Sequence, residues 1–486
     1  MKKHIIYILL STICAACTEK VDVSVTSDSL PPVTPDYASV TIPVNIAPLN
    51  IMADGKAEKI DVTVSSSEGK VVLHSQSAQA TNFNIDKWHS LLAENIGKSI
   101  IYTVSIKENG KWTRYKPFEI FVSPDSIDYG LVYRLIAPGY ETFASMGIYE
   151  RNLSNFDQRT IVENNLLQNN CVNCHSFCQW KTDKMSLHVR GSHGCTMILT
   201  DNQLQVYNTR TDSTRGNCVY PSWHPDGRHI AYSVNETRQI FHAANPKRIE
   251  VIDRWSDVVV LDTKTNTLSS SPLLMSKDKF ETFPYFSPDG KWLYFCSAKA
   301  VDMDTAPQSV HYNLCRIAFD SESGAFGNQV DTLVNASSIS KSVSFPRPSP
   351  DGRFVAYTLS DYGQFSIWHP ESDVWLLNLA DGTTRRLDNL NSDDVDSYHS
   401  WSSNGRWMVV SSRRENGLFT QPYLAHIDTC GNATKAFRLP LHSPADYDAM
   451  FYSFNVPEFI ADPIRLNAIE LENKVERKEL QSLTFE

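Results

Sequence analysis

The chain carries few of the signatures of a common enzyme. It has no GxSxG nucleophile elbow, no HExxH zinc signature, no phosphate-binding glycine loop and no dinucleotide fingerprint. The missing elbow argues against a propeller-gated serine peptidase. Positive charge is also short. Lys and Arg number 45 against 55 Asp and Glu, a net charge of −10, which speaks against nucleic acid and against electrostatic docking on an anionic membrane. Beyond the amino-terminal segment no apolar run is long enough to span a bilayer. Scattered carboxylates such as Asp393, Asp394 and Asp396 read as a solvated loop, although such a pair could line a channel.

What is present begins with a targeting signal. Met1-Lys2-Lys3 is followed by the apolar stretch Ile5–Leu10 and then Ile13-Cys14-Ala15-Ala16-Cys17. A basic start, a short apolar run and small residues before a Cys read as a lipoprotein signal over 1–17, cleaved before Cys17, whose thiol would carry the lipid. An ordinary secretory signal cut near Ala15-Ala16 is the alternative. Either way the chain is expected to be exported, to the periplasmic side or the surface of an outer membrane. A lipid anchor, not a spanning helix, is its expected contact with the membrane. At 486 residues, two or more domains are expected.

Residues 171–175 read Cys171-Val172-Asn173-Cys174-His175. Two thiols three apart on a helical turn can add to the two vinyl groups of one haem. The adjoining imidazole then aims at the iron. The motif therefore predicts one covalent haem c, with Cys171 and Cys174 as thioethers and His175 as proximal ligand. A structural disulfide, a zinc site and coincidence stay open, because CxxC pairs serve all three. Cys178, Cys195 and Cys218 are close enough in sequence to join such a site, and in an oxidising compartment disulfides are the commoner outcome. Cys296 and Cys315 fall on expected strands of one blade, and Cys430 in a turn.

Residues 18–37, rich in Ser, Thr, Pro and Asp, read as a tether. Over 38–123 the pattern alternates, as in Val40–Ile46, Ile60–Val64, Ile101–Ile106 and Phe118–Val122, with Asp54-Gly55 and Asn109-Gly110 as turns. This predicts a small immunoglobulin-like β-sandwich. Further on, Pro225-Asp226-Gly227, Pro288-Asp289-Gly290, Pro350-Asp351-Gly352 and the degenerate Ser403-Asn404-Gly405 recur, each followed by a basic residue and an alternating strand. Each copy is a hairpin: Pro presets φ, Asp or Asn bonds the turn backbone and Gly takes positive φ. A second strand pair completes each copy, so a β-propeller is expected. An all-β chain of sandwich plus propeller follows, with six blades expected and seven the runner-up. The ring would close by joining Tyr133–Ile136 or Met146–Tyr149 to the strand near Met450–Asn455.

These repeats resemble the Pro-Asp-Gly propeller repeats of the TolB family over roughly residues 183–440. The CxxCH segment with Met185-Ser186-Leu187-His188-Val189-Arg190-Gly191 further resembles a group of Bacteroidetes TolB-like lipoproteins labelled as cytochrome c or cytochrome-c-biogenesis related. Cys195 beside Gly194 departs from that pattern. The expected domains are strands leading into the propeller with a CxxCH insertion over 124–200, the propeller over 201–458 and a helical or loose tail over 459–486. Asn155–Gln168 is expected to be a helix presenting Phe156, Ile161, Leu166 and Leu167 on one face and delivering the motif into a loop at the rim. For a distal iron ligand His188 is favoured, then Met185, with His193, Met197 and Met146 further off. Arg190 is a weak candidate for a haem propionate. The expected function is electron transfer or redox sensing with a redox or outer-membrane protein partner. A non-catalytic binding platform, with the Cys/His segment as a staple or metal site, is the rival. Peroxidase-type chemistry would require an open iron position.

Overall fold

The computed structural model describes residues 19–137, 145–214, 216–477 and 479–486; Cys17 and the signal lie outside them. Among the described residues no helix is long and apolar enough to cross a membrane.

The amino-terminal unit is built on strand Ser99–Glu108, whose Ile100, Tyr102, Val104 and Ile106 alternate inward and are buried. One edge of this strand pairs with Lys59–Ser65; the other pairs with Lys111–Arg114 and then with Phe118–Ser123. Seven strands thus join in one connected sheet, a departure from a two-sheet sandwich. A helix, Ile85–Glu94, sits between two of the strands. Asn84 caps it by accepting from the Lys87 amide, and Trp88, Leu91 and Leu92, at helical spacing, are buried. The expected tether is also folded. Val23–Thr26 adds a strand beside Lys111–Arg114, Tyr37 is buried, and Glu19 bonds the ammonium groups of Lys59 and Lys107 at 2.8 and 2.6 Å.

From Gly130 to Ile460 the chain forms six sheets of four strands. Their innermost strands touch in sequence and close into a ring, which is a six-bladed propeller. Blade 1 joins both parts of the chain: Ser453–Ile460 is its inner strand, antiparallel to Gly130–Ile136. Blades 2 to 6 begin at Cys171–Cys178, Cys218–Trp223, Lys279–Phe286, Ser342–Pro348 and Asp396–Trp401. The Pro-Asp-Gly repeats are the turns after the inner strands of blades 3 to 5. There the Asp226 carboxylate accepts from the amides of Arg228 and His229, and Gly227 takes φ +69°. The tail is ordered as well. After helix Ala468–Glu476, Gln481–Ser482 adds to the outer edge of blade 2 and Thr484–Phe485 to that of blade 3.

Two expectations fail in this region. Asn155–Gln168 is not a helix; it holds the outer strand Gln158–Glu163 and a single 3-10 turn, Asn164–Leu167. The CxxCH segment is not an insertion, since Cys171–Cys178 is the inner strand of blade 2. The sequence unit is long-range: pairing with Lys181–Arg190 decides the conformation, and spacing within the motif does not.

Asp396 also departs from its reading as part of a solvated loop. It is fully buried, with Arg414 2.9 Å away. In the inner strand of blade 4, Glu281 is fully buried; Ser276 Oγ donates to one carboxylate oxygen at 2.6 Å and the other has no partner. Burial pushes its pKa up to about 7. A raised acid pKa stabilises the fold fully below the unfolded value and loses that contribution as pH rises through the folded one. Glu281→Gln should therefore melt higher than the unmodified protein at pH 8, by at least about 1 kcal/mol of stability, and no higher at pH 4. Thermal unfolding at the two pH values checks this.

Candidate functional site: the axial funnel

The inner strand of blade 2 departs from regular pairing at the motif. Cys171 faces Arg190, Val172 faces Val189 and Asn173 faces His188; pairing then resumes at Ser176 opposite Ser186. Cys174 and His175 together stand opposite Leu187, a β-bulge in which Cys174 adopts φ +54°. Blades 3, 4, 5 and 1 carry the same device. Tyr220-Pro221, Phe283-Pro284, Phe345-Pro346 and Val456-Pro457 each bulge, with positive φ at the first residue. Proline suits the second position because a bulged residue has no ladder hydrogen bond to lose. His175 takes the place that proline holds in four blades; in blade 6 the register shift leaves Ser397-Tyr398 unpaired, with His399 opposite Val410.

The bulges aim their side chains at the axis. Cys174, Tyr220, Phe283, Phe345, Tyr398 and Val456, one from each blade, line a cavity of about 370 Å³ at one mouth of the ring. This lies within the range of about 300–1,000 Å³ common for small-molecule sites. Cys171, Asn173, His175 and Arg190 share the cavity, as do Arg134, Arg347 and Arg413. The long hairpin of blade 3, His229–Phe241 with Ile249–Asp262, overhangs it and contributes Phe241 and Ile249. Contacts to blade 5 hold the hairpin in place: Gln364 Nε2 donates to Val251 O at 3.2 Å and Lys247 meets Glu371 at 2.7 Å.

The electrostatics are one-sided. Arg347 is neutralised by Glu458 at 2.9 Å, but among the described residues Arg134, Arg190 and Arg413 touch no carboxylate. Around the cavity Arg134 Nε, His175 Nδ1, Asn173 Oδ1 and Arg347 Nε are buried without a hydrogen-bond partner among the described residues. Four such atoms around one cavity leave hydrogen-bonding capacity that a ligand or ordered water would satisfy. Burial pushes the His175 pKa down to about 4, so its ring is neutral, and raises that of the Cys174 thiol against the pull of Arg190.

The funnel thus unites Cys171, Cys174, His175 and Arg190. It does not include the favoured distal ligands. His188 lies on the second strand of blade 2, buried, with Nδ1 3.2 Å from Thr196 Oγ1. Met185 and Met197 are buried in the apolar core shared by blades 1 and 2, and His193 bonds Asn170 and Ser192 in an outer turn. Of the five sequence candidates only Met146 lines the cavity. All eight described cysteines are free thiols. The one cluster with metal-ligating spacing among the described residues is His224, Asp226 and His229, in the first Pro-Asp-Gly turn. There the three side chains bond one another and the turn backbone. The aromatic–proline dipeptides that mark the funnel were legible five residues before each Pro-Asp-Gly; the arginines carried no such signal.

A six-bladed propeller with a thiol-, arginine- and aromatic-lined axial cavity is the class that fold and site define. A scan of known protein families and a search of curated proteins each return no match. Solved structures similar to the chain include an ancestral GH74 enzyme (11% identity, 64% of this chain and 39% of the other, TM-score 0.35). Prolyl oligopeptidase B from Galerina marginata is another (10%, 70% and 42%, TM-score 0.35). A DUF4784 family protein from Bacteroides caccae is a third (8%, 85% and 97%, TM-score 0.31). The chain thus spans about two-fifths of the length of the first two.

Proposed function

We propose that this is an exported, membrane-anchored c-type haem protein that transfers or senses electrons in contact with a redox or outer-membrane protein partner. What supports this reading is the convergence of both thiols of the CxxCH motif and its imidazole on one cavity. Cys171 and Cys174 would hold the cofactor by thioethers. His175 would ligate iron, for its ring is neutral and one nitrogen has no protein partner, the form in which imidazole binds metals. Met146, which lines the cavity, would be better placed than His188 to serve as a further iron ligand. When bound, haem supplies one-electron redox chemistry. The chain's own part is to exclude water with Tyr220, Phe283, Phe345 and Tyr398, and to surround negative charge with guanidinium groups. Haem staining of the mature protein on a denaturing gel, after expression with a c-type maturation system, tests the proposal. An unstained band whose thiols mass spectrometry finds unmodified would favour the rival reading, a ligand-binding platform. The uncompensated arginines support that reading without any thioether.

The membrane part of the proposal rests on Cys17. Cys17→Ser should move the protein from the membrane fraction to the soluble one, because acyl chains would be what holds it. Retention on membranes after a salt wash would defeat the lipid anchor.

A further inference from the structure

Arg413 follows the second strand of blade 6 and is 2% exposed. Its Nε donates to Ile367 O at 2.9 Å, its Nη1 to Leu418 O, and its guanidinium lies 3.5 Å from the centre of the Trp368 ring. All these partners are neutral. Among the described residues no carboxylate comes within ion-pair distance, and Asp394 acts on Arg413 only from farther away. A buried cation without a counter-charge is costly, and evolution has alternatives as simple as methionine. Burial lowers its pKa to about 9, so at neutral pH the charge remains.

Its position in the ring gives this charge a purpose. Ile367 and Trp368 belong to the connection between the second and third strands of blade 5. Three steps around the closed ring of inner strands separate blade 5 from blade 2 in either direction, so they face each other across the axis. Arg413 and Trp368 therefore stand across the funnel from Cys171 and Cys174, and line the same cavity. Between them the walls carry the rings of Tyr220, Phe283, Phe345 and Phe365 beside Arg134 and Arg347.

We infer that Arg413, backed by Trp368, is the receptor for an acid group on the funnel's ligand, and that this ligand is an organic acid with an apolar body lying across the axis. The inference rests on the proposed use of the funnel but does not require thioether bonds. A guanidinium offers a carboxylate two parallel hydrogen bonds, and the indole behind it holds its plane fixed. Two sources share this chemistry: the propionates of a porphyrin anchored at blade 2, and a free apolar carboxylic acid. Arg190, paired directly across from Cys171, sits on the thiol side and is displaced from the role of acid receptor.

The test uses the full chain carrying Cys171→Ser and Cys174→Ser, so that nothing can attach covalently. It is titrated with protoporphyrin IX and its dimethyl ester, and with dodecanoate and its methyl ester, read by tryptophan fluorescence and calorimetry. At least one acid should bind tenfold or more tightly than its ester. Arg413→Gln should bring that acid down to its ester's affinity, while Arg413→Lys retains part of the difference. Equal binding of acid and ester in both pairs, a preference that survives Arg413→Gln, or no binding by any probe overturns the inference. Should Arg413→Gln fail to fold, Arg413→Lys decides: a preference it leaves undiminished, or equal binding of acid and ester on the intact chain, overturns the inference. A preference confined to dodecanoate upholds the acid receptor and counts against haem. A negative haem stain, by contrast, leaves the acid–ester comparison untouched.

Discussion

Cys171→Ser combined with Cys174→Ser is expected to abolish haem staining completely, with the propeller still folded. Both thiols are free and line the cavity; Cys174 also takes a hydrogen bond from the Tyr220 backbone of blade 3, and Cys171 packs on the core between blades 1 and 2. Serine is smaller but keeps the polarity, so the bulge that Cys174 initiates should persist, and the thermal transition should move by no more than about 1 kcal/mol. The single variants should each retain partial stain through one remaining thioether. His175→Ala is a sharper case. Its thioethers would survive, so the gel band should still stain, but the optical spectrum should lose the features of an imidazole-ligated iron. His188→Ala is expected to leave both stain and spectrum unchanged, because His188 lies outside the funnel and bonds Thr196. A spectral change in His188→Ala with His175→Ala silent would reverse the assignment of the two histidines.

The second large effect concerns closure. A chain that ends before Ser453 should lose cooperative unfolding and become protease-sensitive or aggregate, whereas a chain that ends just after Ile460 should keep a single transition at lower temperature. Ser453–Ile460 is the inner strand of blade 1 and touches blades 2 and 6. Without it, Gly130–Ile136 becomes an open edge beside the axis, and the buried Phe454, Phe459 and Ile460 leave their partners exposed. Removing only the tail costs the outer strands on blades 2 and 3 and the helix whose Leu471 and Val475 cover the core between blades 1 and 2. Thermal scans followed by circular dichroism, with limited proteolysis alongside, separate the two chains.

How much of this was legible depends on the range of each interaction. The Pro-Asp-Gly turns were readable because their hydrogen bonds close within a few residues, and the pairing of the two chain regions in blade 1 followed from counting strands. The local structure of the CxxCH motif was not legible. The CxxCH spacing suggests a helix by its use in haem attachment, but in residues 171–178 the partner strand decides, and a bulge, not a helical turn, brings Cys174 and His175 round to the axis. The helix at Ile85–Glu94 was overlooked although Asn84 and the spacing of Trp88, Leu91 and Leu92 announced it; a run of alternating segments on either side masked the change of period. Arg413 could not be found in this way. Its meaning lies in a stack on Trp368 and in the ring placing blade 5 opposite blade 2, neither of which leaves a trace in local sequence.

The ion pairs that hold Glu19 have a bearing on where the molecule can work. If acyl chains sit on Cys17 as proposed, only Thr18 separates the lipid from a residue already clamped between Lys59 and Lys107. One linking residue spans at most about 4 Å, compared with the tens of ångströms that a free twenty-residue leash would sweep. The first domain would then rest against the headgroups like a foot, and the propeller would stand on it through the shared core around Tyr37 and Trp407. On so short a link the molecule would stay within its own dimensions of the bilayer, and partners held in the same membrane would meet it more readily than those diffusing in solution.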